Sequence, residues 1–191
     1  VRIIAGSARG RTLLAPKDAR VTRPTADRVR ETLFNVLGQF LEGERVLDLY
    51  AGTGALALEA LSRGASRAVL VDQDREAVKL CRANAEALRF TPQVEVLAMP
   101  VARALGHLAG KGERFELVFS DPPYALRAAS ETLRALEARG LLAPGATVVL
   151  EHADEEPPPP EADHPAFALL DTRTFGDTVV SIYRLLDPRP A

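Results

Sequence analysis

From residue 45 onward the chain alternates short apolar runs with longer stretches in which apolar positions recur every three or four residues. A short unbroken apolar run reads as a strand buried on both faces, and the three-to-four spacing as an amphipathic helix. The pattern predicts strands over 45–50, 67–72, 93–97, 115–120 and 146–151, with helices near 54–63, 74–88, 100–109 and 127–138 between them. Strands that alternate with helices in this way form a parallel sheet, because each connection must cross back over the sheet, and helices then cover both faces. Ahead of this region, "RPTADRVRETLFNVLGQF" sets Val29, Leu33, Val36, Leu37 and Phe40 at helical spacing, with Thr25 placed to cap the helix after Pro24.

The two ends of the chain depart from the alternation. "VRIIAGSARGRTLLAP" is a set of short apolar runs broken by Gly6 and Gly10, which reads as a small β arm. The expected organisation is an arm over 1–24 followed by one domain over 25–191. "EEPPPPEADHP", residues 155–165, excludes a helix or central strand and reads as a polyproline-like surface loop. The tail gives two β-rich runs around Phe175-Gly176-Asp177, a terminal antiparallel hairpin whose glycine supplies the positive φ of the turn.

Composition narrows the class. A chain of 191 residues can bury one well-formed core, and 47% hydrophobic with 26% charged residues argues against disorder along most of it. No apolar stretch approaches the roughly 20 residues that span a bilayer, and no signal-peptide h-region opens the chain. The expectation is a soluble, cytoplasmic monomer. Cys81 is the single cysteine, which excludes an internal disulfide, and it falls in a helical pattern where a packed thiol is expected. His107, His152 and His164 show no ligand spacing, so no metal is expected.

Charge adds a partner. The first thirty residues carry seven arginines and one lysine against two aspartates, whereas the whole chain is net −2. A basic arm on an acidic body suits a polyanion met on one face. Arginine offers a planar fork that matches phosphate better than lysine does, so Arg2, Arg9, Arg11, Arg23 and Arg28 are the candidate nucleic-acid contacts.

"VLDLYAGTGALALEAL" joins a strand, a tight loop and a helix. Gly52, Gly54 and Ala57 fit G-x-G-x-x-A, and Asp72 closes the next strand, where a carboxylate can grip both ribose hydroxyls of a nucleotide. The fingerprint alone does not separate a dinucleotide from S-adenosylmethionine. Asp48 favours S-adenosylmethionine by charge, since a carboxylate just before the loop repels a pyrophosphate but suits a cationic amino group. Asp74 competes with Asp72 for the ribose.

"FSDPPYAL" follows the fourth strand. An exocyclic amine on a base is a poor nucleophile because its lone pair is delocalised into the ring. Acceptors that take hydrogen bonds from the amine favour the pyramidal nitrogen that attacks a methyl sulfonium. Asp121 and the Pro122 carbonyl offer two such acceptors, Pro122 and Pro123 stiffen the backbone that aims them, and Tyr124 offers a face for an extruded base. In a doubly wound sheet the glycine loop and this strand end are expected at one crevice.

Taken together, "RIIAGSARGRTLLAP", "RPTADRVRETLFNVL", "LDLYAGTGALALEAL" and "DPPY" resemble the RsmD-like family of bacterial 16S ribosomal RNA guanine-N2 methyltransferases, and the "RTFGDTVVSIYRL" ending is also similar. The resemblance implies a class I methyltransferase fold, Rossmann-like, with a seven-stranded, mostly parallel sheet and an antiparallel C-terminal hairpin. It implies methylation of one guanine N2 in small-subunit ribosomal RNA, met within an assembling small subunit, with S-adenosylhomocysteine as the spent cofactor. Asp48, Tyr50, Ala51, Gly52, Thr53, Gly54, Asp72 and Gln73 then fall on the cofactor motif, and Asp121, Pro122, Pro123 and Tyr124 on the catalytic one. Two departures stand out: Asp72 replaces a common glutamate, and "LAMPVARAL" puts Met99 where relatives often have an acid facing the adenine amine. Rival readings are an N6-adenine methyltransferase on DNA or RNA, a non-catalytic nucleic-acid-binding protein of the same fold, and an NAD-linked enzyme disfavoured by Asp48.

Overall fold

The apolar runs of the first half become three parallel strands, β1 (Arg45–Leu49), β2 (Arg67–Asp72) and β3 (Val94–Ala98). They pair in the order β3-β2-β1, with Leu47 opposite Val69 and Val69 opposite Glu95. Val46, Leu47, Leu49 and the Ala68–Val71 run are fully buried, as strands covered on two faces must be. Helices α1 (Pro24–Leu37), α2 (Ala55–Ser62) and α3 (Arg75–Ala87) belong to the same part of the chain. The structure, a computed structural model, describes residues 1–16 and 24–187, and the chain divides into two compact units, Val1–Val101 and Ala102–Ala191.

The second half holds α4 (Val101–Gly110), β4 (Phe115–Ser120), α5 (Ala129–Ala138) and β5 (Leu142–Ala153), then β6 (Phe167–Phe175) and β7 (Thr178–Leu185). Strand β4 pairs parallel with β5, while β5–β7 and β6–β7 are antiparallel. In sheet order the seven strands run β3-β2-β1-β4-β5-β7-β6, the order of the class I methyltransferase fold with its reversed C-terminal hairpin. Gly176 and Asp177 are the two-residue turn of that hairpin, with Gly176 at φ 63°.

Two local differences from the sequence pattern have clear causes. Helix α1 stops at Leu37 because Gly38 takes φ 105°, so Phe40, though in helical phase, stands 74% exposed. The core of this helix is made instead by Leu33 and Phe34, the latter at 0%. The proline loop is better anchored than a surface loop need be. Pro159 is buried and its carbonyl accepts the Tyr183 hydroxyl at 2.8 Å, while His164 Nε2 lies 2.7 Å from Ser130 Oγ at the start of α5.

The N-terminal arm closes on itself through one antiparallel bridge, Arg2 to Thr12. It is held to α2 by side chains that look out of place in the apolar run "ALALEALS". Glu59, fully buried, accepts the Ile4 N–H at 2.8 Å and the Ala5 N–H at 3.0 Å, and Arg63 Nε donates to it at 2.7 Å. Arg63 also sits 4.6 Å over the Phe34 ring, which ties α1 to the same cluster. Ser62 Oγ accepts the Ala8 N–H and donates to the Ala5 carbonyl. Gly6 passes so close that a Cβ there would lie 1.7 Å from the Ser62 carbonyl oxygen. Leu33 and Phe34 of α1 and Ile3 and Leu13 of the arm complete this part of the core.

Candidate functional site

In the first unit, the turn from β1 to α2 is built around two carboxylates. Asp48, 2% exposed on β1, accepts the Ala57 N–H at 3.2 Å through Oδ2. It therefore faces the first turn of α2, where unpaired amides and the helix dipole favour negative charge. Asp72, at the end of β2, accepts the Gly52 N–H at 2.9 Å through Oδ2 and the Asp74 N–H at 2.9 Å through Oδ1. Each carboxylate oxygen keeps a further lone pair, and the half-buried group remains open on one side.

The loop between them is conformationally demanding. Tyr50 adopts φ 62°, the left-handed region that a bulky residue enters only when its surroundings enforce it. Ala51 N–H donates to the Val71 carbonyl at 3.0 Å, and its own carbonyl accepts the Gly54 N–H at 2.7 Å. The two glycines serve different purposes. Both take a positive φ, but a Cβ on Gly54 would also meet the tip of Leu70, Cδ2, at 2.7 Å, whereas a Cβ on Gly52 would meet nothing within 4 Å. Gly52 borders open space into which a ligand can come against the backbone.

Asp74, the rival to Asp72, is occupied as the cap of α3, accepting the Ala77 N–H at 2.9 Å. Gln73 beside it is exposed, and Met99 is half-buried just after β3, its N–H turned back to the Leu97 carbonyl. Cys81, expected as a packed thiol, and Asn84, which the sequence pattern does not single out, both reach the loop. Cys81 Sγ donates to the Gly52 carbonyl at 3.2 Å and Asn84 Nδ2 to the Thr53 carbonyl at 2.9 Å. Burial pushes the Cys81 thiol up to about 12, so it stays a protonated donor.

In the second unit, Asp121 is the first residue after β4, whose last residue, Ser120, pairs with Leu150. The residue is exposed, yet the protein packed about its carboxyl pushes it up to about 6 by desolvation. Pro122 is buried, Pro123 is exposed and accepts the Leu126 N–H at 2.9 Å, and Tyr124 opens the short helical turn Tyr124–Leu126. The Tyr124 side chain lies outside the described residues. Proline fixes φ at both positions after the acid, so the chain leaves the strand in one direction. Glu156 accepts the Ala129 N–H at the start of α5, and Arg127 holds φ 43° between the turn and that helix.

The arginines of the arm and of the start of α1 divide. Arg9 and Arg28 are exposed, and Arg2 is 71% exposed with Nε 3.8 Å from Asp27. Arg11 is exposed but bonded to the Ala87 carbonyl at 2.7 Å, and Arg23 lies outside the described residues. Arg30 is a structural arginine, buried and donating to Asp27 and to the Arg2 carbonyl. Among the described residues no group of three or more His, Cys, Asp or Glu side chains could hold a metal ion, and no helix is long and apolar enough to cross a membrane.

Comparison with known proteins bears on this arrangement. The family model described as conserved hypothetical protein 95 matches residues 1–184. The Bacillus subtilis (strain 168) protein YlbH, whose naming as an rRNA methyltransferase is provisional, is 38% identical over 187 residues, spanning 96% of this chain and 98% of its own. Ribosomal RNA small subunit methyltransferase D of Escherichia coli (strain K12) is 42% identical over 151 residues, 79% of this chain and 74% of that one. A hypothetical protein of Thermus thermophilus, TTHA0928, has a solved structure with TM-score 0.78 and 36% identity, covering 95% of this chain and 98% of the other.

Proposed function

The chain belongs to the family described as conserved hypothetical protein 95, and from that premise we propose that it methylates the exocyclic N2 amine of one guanine in small-subunit ribosomal RNA, with S-adenosylmethionine as donor. The observation that carries the reading is Asp121. A strand-end carboxyl on an exposed residue, raised to about 6 and followed by two prolines, is a positioned acceptor of the kind an amine nucleophile needs.

The first unit's loop fits the donor. Gly52 leaves backbone space open, and Asp72 stands beside it with lone pairs free for a ribose diol. Asp48 brings the negative charge that suits a cationic amino group, and Thr53 and Ala51 supply loop backbone. S-adenosylmethionine bound there would supply a methyl group on a positively charged sulfur, the electrophile of the reaction. Asp121 and the Pro122 carbonyl hold the two amine hydrogens, turning the nitrogen lone pair out of the base plane. Tyr124 stacks on the base. The nitrogen loses a proton once it has gained the methyl, and Asp121, ionised near neutral pH, takes it directly or through water. Methyl transfer of this kind runs in line, with nitrogen and methyl about 3 Å apart. Arg2, Arg9, Arg11 and Arg23 of the arm, with Arg28 at the start of α1, take RNA phosphates.

Mass spectrometric mapping of 16S ribosomal RNA tests the whole reading. Small subunits from a strain lacking the gene, incubated with the protein and S-adenosylmethionine, should gain one N2-methylguanine with wild type and none with Asp121→Ala. Methyl on an adenine, or on no ribosomal base, would reject it.

A further inference from the structure

One buried side chain joins segments that the proposed reaction uses for different purposes. Asn84, on α3, is 0% exposed. Its Oδ1 accepts the Leu14 N–H at 2.7 Å, and its Nδ2 donates to the Leu14 carbonyl at 3.1 Å and to the Thr53 carbonyl at 2.9 Å. The arm is thereby held at Leu14 by both backbone groups, as a neighbouring strand would hold it. Thr53 lies between Gly52 and Gly54 in the loop. One turn earlier on the same helix face, Cys81 Sγ donates to the Gly52 carbonyl. Two consecutive loop carbonyls therefore rest on α3, and the second is joined to the arm through one planar amide. That amide cannot follow Thr53 with Nδ2 without moving Oδ1, and in a buried position neither atom has water to turn to. The helix itself does not ask for asparagine there, since Val78, Cys81 and Ala85 on the buried face are apolar and alanine is the better helix former.

We infer that Asn84 is a positioning residue that couples occupancy of the loop to the order of the N-terminal arm. The inference rests on the loop being the S-adenosylmethionine site. Such a coupling is reciprocal: a ligand that settles Thr53 tightens the arm around Leu14, and a partner that grips the arm settles the loop. With RNA taken by the arm, RNA and cofactor strengthen each other's binding, so the enzyme is most competent for RNA when charged with donor.

Amide hydrogen exchange on the full chain, with and without saturating S-adenosylhomocysteine, tests this. The reporter is the Leu13 amide, whose bond to the Val1 carbonyl at 2.9 Å lies within the arm and does not involve Asn84. In wild type the ligand should slow Leu13 exchange about fivefold, the lower end of typical couplings. Asn84→Ala should abolish the slowing. Ser62→Ala, which loosens the arm from α2 without touching the loop, should retain it. Unchanged Leu13 exchange in wild type overturns the inference, and that measurement needs no variant to fold. Equal slowing in Asn84→Ala also overturns it, as does loss of slowing in Ser62→Ala to the same degree. Calorimetry on the same samples separates the two levels: no S-adenosylhomocysteine binding to wild type defeats the cofactor reading, whereas binding without coupling defeats only the role of Asn84.

Discussion

The role proposed for Asp121 predicts a pH dependence in a window where an ordinary aspartate would give none. Desolvation raises its carboxyl from the usual 3.8 to about 6, and only the ionised form accepts both the amine hydrogen bond and the proton. A group of that pKa is about nine-tenths ionised at pH 7 and about one-tenth at pH 5. With the acceptor required in its charged state, kcat/KM should fall about tenfold between those values on the acid side, as the free enzyme takes up the proton. An aspartate near 3.8 would lose less than about a tenth of its ionised fraction over the same interval. The assay is transfer of labelled methyl to small subunits at limiting substrate, from pH 5 to 8. Asp121→Asn is the control: it keeps one carbonyl acceptor and cannot titrate, so its residual rate should be low and flat across the window. Asp121→Ala should lower the rate about a hundredfold or more while leaving cofactor affinity within a few-fold. A wild-type profile that is flat from pH 5 to 7, or an Asp121→Asn variant that keeps the same acid limb, would refute the assignment of the titrating group.

Three further outcomes follow from particular contacts. Asp72→Ala should weaken S-adenosylhomocysteine by about 1.5 to 3 kcal/mol, the range for hydrogen bonds to a charged group, with RNA binding unchanged; equal affinity by calorimetry would remove Asp72 from the ribose. Glu59→Ala leaves the Arg63 guanidinium without its buried partner and frees the Ile4 and Ala5 amides. It should destabilise the protein by about 3 to 5 kcal/mol in denaturant titration. The double replacement Arg9→Ala with Arg28→Ala should leave thermal stability intact and flatten the salt dependence of RNA binding by about 0.7 to 0.9 for each phosphate that an arginine no longer neutralises; parallel salt slopes would place both arginines off the RNA.

How much of this was legible beforehand depends on the range of the interaction concerned. Strands β1, β2 and β4 and helices α2 and α3 fall within a residue or two of the apolar pattern, because a two-face-buried strand and an amphipathic helix write their burial directly into residue order. The terminal hairpin was legible for the same local reason, with Gly176 at its turn. The motifs on which the proposed chemistry rests, Asp121 through Tyr124 and the glycine loop, are contiguous, so they stand out in residue order alone. Tertiary structure decided the rest. Glu59 and Asn84 are polar side chains on buried helix faces, and both are answered by arm backbone more than fifty residues away. No period reports such a partner. Likewise, both glycines of the loop look alike in sequence, and only packing shows that Gly54 makes room for Leu70 while Gly52 leaves room open. Helical phase carried Phe40 into the expected core, but one glycine at positive φ ended the helix before it. Local order set the elements and their motifs, because propensity and burial act over a few residues. The roles of buried polar groups were set by the fold, since each such group must find a partner wherever the chain brings one within 3 Å or so.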